Sequence, residues 1–298
     1  MILLPVLLAL NAAAAKYDPS ADRAALRSAA TSCHATMVDA TGLPLETDKV
    51  PAIMKGVDES LRLARTAAGA AAALDAAAVK RVAEMAAGEA ALERRIKDAA
   101  GPVAAARKRT DAYAAELAKD KQKIETLPDS EREKYPPRVA KGDAALASAE
   151  GALRPAEDAV AVMGQRALEM KAAVRQSRKP LAEVSAASSS TVTLAGELPA
   201  PASEFKNRLA ELGQEPREVS RTRAQQKIEP ARGASLLVFQ AADRACNRAD
   251  DVRRASSAYD DAASAFEEAL PKATPAPAAP FLDAAQKALE QLRELLKK

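Results

Sequence analysis

Along most of the chain, apolar positions recur every three or four residues, the spacing of one helix face. The first such stretch opens on Asp18-Pro19, a capping residue followed by proline at the first helical position. It carries Leu26, Ala30, Cys33, Met37 and Ala40 on one face and stops at Gly42. A loop over 42–48 leads to Pro51, and helix-favouring residues then run to about Leu127. Within that run Val82, Met85, Leu92, Ile96, Ala99, Val103, Ala106, Tyr113, Leu117, Ile124 and Leu127 fit a single heptad frame, the pattern of a coiled coil.

Leu127-Pro128-Asp129-Ser130 and Tyr135-Pro136-Pro137 interrupt the pattern. A second frame follows, with Val139, Leu146, Leu153, Val160, Ala167, Val174 and Leu181 every seventh residue and Ala149, Ala156, Met163 and Met170 at the companion position. Two long helices joined by a short proline-bounded turn fold back antiparallel, so 16–187 reads as an N-terminal helix and a coiled-coil hairpin with its turn near 128–137. Each arm would span about 70 Å from roughly 50 residues. Pro102 and Pro155 interrupt neither frame, which points to a kink in each arm, not a break.

Downstream the composition changes. Residues 188–202 are rich in Ser, Thr and Pro and read as a loop. Returning helices follow over 203–270: a short one capped by Ser203, another to Ile228 ended by Pro230, and a long one over 234–270 with Val238, Ala242, Ala245, Ala249, Val252, Tyr259, Ala263, Phe266 and Leu270 on its seam. A proline and alanine linker, 271–280, precedes an amphipathic tail over 281–298 with Leu282, Ala285, Leu289, Leu292 and Leu296 on one face. The expected fold is all-α: an elongated antiparallel coiled-coil hairpin with a helical bundle at its base.

Composition narrows the functional classes. Of 298 residues 48% are hydrophobic but only 3% aromatic, so the core is built largely from alanine and medium aliphatic side chains. Lys and Arg number 44 against 41 Asp and Glu, a net charge of +3. The two signs are interspersed, as on a solvated helix surface. With basic runs lying among acids and having almost no aromatic neighbours for base stacking, nucleic-acid binding is not expected. Residues 1–15 combine an apolar run with a small-residue tract ending in an A-x-A site, which reads as a signal peptide and a periplasmic or secreted destination. In such a compartment Cys33 and Cys246 are a candidate disulfide.

Chemistry-bearing motifs are scarce. The sequence contains no G-x-S-x-G, H-E-x-x-H, C-x-x-C, P-loop or G-x-G-x-x-G pattern. His34 has no partner at metal-ligand spacing, and Ser203 with Lys206 matches S-x-x-K without its companion motifs. The pairs Asp250-Asp251, Asp260-Asp261 and Glu267-Glu268 are adjacent on helices, where neighbours point apart. No catalytic, cofactor or metal residue is assigned, and no enzyme activity or cofactor is expected. The expected function is that of an exported structural or adaptor protein acting through protein–protein contact or self-association. Its partner contact is placed at the hairpin tip, on Asp129, Glu131, Arg132 and Tyr135. The alternative is a peripheral membrane-binding module acting through the C-terminal amphipathic helix.

Overall fold

A computed structural model of the chain describes residues 17–297, so the signal-peptide reading of 1–15 lies outside the described residues. The described residues are all-α, with eight helices in the order α1 (Ser20–Gly42), α2 (Val50–Glu125), α3 (Asp129–Arg132), α4 (Pro136–Glu197), α5 (Pro199–Gln214), α6 (Glu218–Gln225), α7 (Ile228–Ala269) and α8 (Ala279–Leu296). By internal packing the chain divides into two compact units. The first takes residues up to Ala87 together with Ala172–Asp260, and the second takes Gly88–Lys171 with the chain from Asp261 onward. α2 and α4 continue through Pro102 and Pro155.

In the second unit the antiparallel pairing of α2 and α4 follows from its ion pairs. Lys121 meets Asp143 at 2.7 Å, Arg107 meets Glu157 at 4.0 Å and Glu93 meets Lys171 at 2.8 Å. From one pair to the next, the position moves back two heptads on α2 and forward two heptads on α4. All six residues immediately follow a seam position, where charges flank the apolar contact of a coiled coil. α8 lies in this pair as a third helix. Its Leu282 packs with Val103, Ala106, Leu153 and Ala156, and its Leu289 and Leu292 with Leu117, Tyr135 and Leu146. The apolar face that could have met a membrane is therefore buried inside the unit. Arg95 grips Glu267 with two hydrogen bonds, at 2.6 and 2.8 Å, and covers the Phe266 ring at 4.9 Å.

The first unit corrects the reading of 188–202. That stretch is not a loop: α4 runs through it to Glu197, and Pro199 starts α5. The heptad frame simply continues as Leu181, Val184, Ser188, Thr191, Ala195 and Leu198, all buried except the partly buried Leu181. Small hydroxyl side chains fit these inward positions because most of them bond back to their own helix. Ser177 donates to the Val174 carbonyl at 2.8 Å and Thr191 to that of Ala187 at 2.9 Å. Ser188 is the exception, buried with no hydrogen-bond partner among the described residues. Ser188→Ala is accordingly expected to stabilise the protein by about 1 kcal/mol, whereas Ser177→Ala gains nothing comparable; urea denaturation of the two variants checks this.

Three smaller corrections follow the same logic. Ser203 does not cap its helix but lies within α5, whose first residue is Pro199, and Lys206 pairs with Asp58 at 2.6 Å. Pro230 does not end a helix; it sits in the first turn of α7, where a missing N–H costs nothing. The 271–280 linker contains two short 3-10 turns, Leu270–Lys272 and Ala276–Ala278, before α8 begins.

The two cysteines are free, buried thiols, which overturns the disulfide. Cys33 faces α2, its sulfur 3.4 Å from the Ser60 hydroxyl, and that hydroxyl donates to the Cys33 carbonyl at 2.8 Å. Cys246 of α7 meets α1 near the Arg23 carbonyl, at 3.5 Å. That point lies two to three turns before Cys33, roughly 10–15 Å along the helix axis. A disulfide tolerates a Cα separation of only about 7 Å. Burial pushes both thiols up from their ordinary value, so both are poor nucleophiles as well. α1 approaches α2 closely at Gly56, where an added Cβ would come within 2.6 Å of the Ala40 Cβ.

One member of each doubled carboxylate, Asp250, Asp260 and Glu267, ties helices together. Asp250 joins Arg23 of α1 at 2.9 Å and Arg253 at 2.9 Å. Asp260 pairs with Arg81, a residue only 5% exposed whose guanidinium also donates to Ser256 at 2.7 Å and lies over the Tyr259 ring. The Arg253 hydrogen bond, with Arg23 beside it, holds the Asp250 carboxyl below its ordinary value of 3.8. Its contribution to stability is therefore complete above that value and is lost as pH falls through the lower folded one. Asp250→Asn is expected to lower stability at neutral pH and to converge on the parent protein once the pH has fallen below the lowered folded value, as measured by denaturation across an acid series.

Candidate interaction surface at the hairpin tip

The tip belongs wholly to the second unit. α2 closes with Thr126 donating its hydroxyl to the Lys123 carbonyl at 2.7 Å. Pro128 then prevents continuation, and the single turn α3 carries Asp129, Glu131 and Arg132. Arg132 fastens this turn, its Nε donating to the Leu127 carbonyl at 2.6 Å while a terminal nitrogen lies 3.1 Å from Asp129. Asp129 is nevertheless 95% exposed, and Glu131 faces solvent too.

Tyr135 does not join them. It is 7% exposed and belongs to the core formed by Leu117, Leu146, Leu289 and Leu292, with its hydroxyl donating to the Leu295 carbonyl of α8 at 3.3 Å. Its assignment as a contact residue is thus corrected: an aromatic ring beside a turn is more valuable under α8 than outside it. The structure brings Asp129, Glu131 and Arg132 together at the surface and withdraws Tyr135 beneath them.

Asp120 and Arg293 complete the surface. The heptad frame places Asp120 at the seam position between Tyr113 and Leu127, and the side chain is 2% exposed. Arg293 of α8 donates to one carboxylate oxygen at 3.2 Å, and Lys123 lies 3.4 Å from the other. Arg293 also reaches Glu116 at 3.0 Å. The bond to Asp120, assisted by Glu116, raises the Arg293 guanidinium above its ordinary value and fixes its charge. Asp120, Lys123, Thr126, Leu127, Arg293, Leu296 and Lys297 line a shallow depression of about 400 Å³ beside the turn. A polar residue on an apolar seam was visible in the sequence as a gap in the frame; that α8 supplies its partner was not.

Chemically this surface offers exposed charges on a turn braced by α8. The one hydroxyl lining the depression, on Thr126, is engaged with backbone, and the depression combines three cationic side chains with a single buried carboxylate. His34, in the first unit, is held by a 2.9 Å hydrogen bond to Ser235 and stacks against Phe239. Among the described residues no cluster of His, Cys, Asp and Glu could hold a metal ion, and no helix is long and apolar enough to cross a membrane. Compared with protein-family models, curated proteins and solved structures, the chain matches none.

Proposed function

We propose that the protein is an exported, non-enzymatic coiled-coil adaptor or structural protein of the cell envelope or secreted space, contacting a protein partner through the hairpin tip. The observation carrying this reading is the exposure of Asp129, Glu131 and Arg132 on a turn braced from beneath by Tyr135 and α8. A turn whose backbone is already fastened by Arg132 and by Tyr135 beneath α8 has less ordering left to do when a partner docks, which favours specific contact. The export component rests on the pattern of residues 1–15.

A photo-reactive amino acid at Glu131, compared with one at Arg94, tests the reading in the native host; Arg94 is 89% exposed on α2 of the same unit. The expected result is a discrete adduct from position 131, to one envelope or secreted protein or to a second copy of the chain, and none from 94. Equal labelling from both positions, or none from either, would remove the tip from the interface. Adducts only to cytoplasmic proteins would sink the exported location.

A further inference from the structure

A second surface, in the first unit, is built differently. α4 and α7 run side by side, leaving a groove of about 380 Å³ lined by Glu183, Ala186, Ala187, Ser190, Arg244 and Arg248. Arg248 is paired with two carboxylates, Glu183 at 2.8 Å and Asp251 at 3.2 Å. Arg244, one turn earlier on α7, pairs with no carboxylate among the described residues, and its Nε donates to the Gln240 carbonyl of its own helix at 3.3 Å. Helical spacing places Arg175 and Lys179 on the α4 stripe that continues through Glu183 to Ser190, both exposed and likewise without a carboxylate partner among the described residues. The groove is thus a strip with a floor of methyl groups, one hydroxyl and an excess of positive charge.

We infer that this groove is a docking site for an acidic α-helix of a partner protein, with a glutamate or aspartate on that helix engaging Arg244. Ala186 and Ala187 allow a helix backbone to approach closely, and the groove between two packed helices has the shape a third helix fills. The second unit already shows this arrangement, with α8 seated between α2 and α4 and an arginine–carboxylate pair at its edge. The resident acids Glu183 and Asp251 disfavour a uniformly anionic surface such as a lipid bilayer, whereas one or two carboxylates on a helix can avoid them and reach Arg244 and Lys179. The groove does not involve the tip, so either surface can fail without the other.

The test uses the full-length protein and a fluorescent alanine-based helical peptide with glutamates four residues apart, compared with its lysine counterpart by fluorescence anisotropy. The glutamate peptide is expected to bind with salt-sensitive affinity and the lysine peptide not to bind. Arg244→Ala should weaken binding about tenfold, the scale of one charge-assisted hydrogen bond. Arg217→Ala, at an exposed position outside the groove, should leave it unchanged. Equal affinity for the two peptides, or an Arg244→Ala variant that binds as well as the parent, would overturn the inference. So would Arg244-dependent binding of anionic vesicles by a protein that ignores the glutamate peptide.

Discussion

Replacing Phe205 by alanine is expected to cost about 3–5 kcal/mol of stability, toward the top of that range. Phe205 is fully buried on α5 beside Ala202, Leu209 and Leu212, and it is one of only four phenylalanines in the chain. The cavity left by a lost ring shrinks when neighbouring long side chains swing into it. Here many of the other buried side chains in the first unit are alanines, Ala64, Ala67, Ala71, Ala231 and Ala242 among them, and a methyl group has no rotamer with which to refill space. Far-ultraviolet circular dichroism during urea unfolding measures the loss. A change below about 1 kcal/mol would mean that α5 contributes little to the core, as a loop region would.

That experiment bears on the part of the chain where sequence and structure parted. The helices of the hairpin were legible because Leu, Val and Met mark their seams at seven-residue intervals. Both ends of α2 fall within two residues of the expected 51–127. Residues 188–202 were not legible, because hydroxyl residues read as loop by composition. What overrode that preference was burial at seam positions, with Ser177 and Thr191 satisfied by carbonyls of their own helix. Prolines misled for a related reason: Pro199 and Pro230 look like terminators but stand in the first turns of α5 and α7.

The tip shows the same division. Proline spacing located the turn and its exposed charges correctly, since those follow from local chain chemistry. Which aromatic near the turn is covered depends on α8, more than a hundred residues further on, and no local pattern encodes that contact. Asp120 could be flagged from its place in the frame, but Arg293 as its partner required knowing where α8 lies. The two cysteines failed in the same way: their burial followed from the pattern, and their separation along α1 did not.

Leu292→Ala is the second substitution with a large expected effect, about 2–5 kcal/mol. Leu292 is fully buried against Leu117, Tyr135 and Leu146, and the next residue, Arg293, holds the buried Asp120 carboxylate. Loosening α8 at this point therefore removes apolar contact and also draws away the principal cation from a charge that water does not reach. Hydrogen exchange should rise first across Ala279–Leu296 and around Tyr135, and the linker should become cleavable by trypsin after Lys272. Phe281→Ala, at a position 39% exposed on the same helix, should cost less than about 1 kcal/mol. The pair separates the two roles open to an amphipathic tail. A helix that serves the bundle is sensitive at Leu292 and tolerant at Phe281. A helix that serves a membrane would instead lose vesicle binding with Phe281→Ala, while Leu292→Ala left the folded protein almost as stable as before.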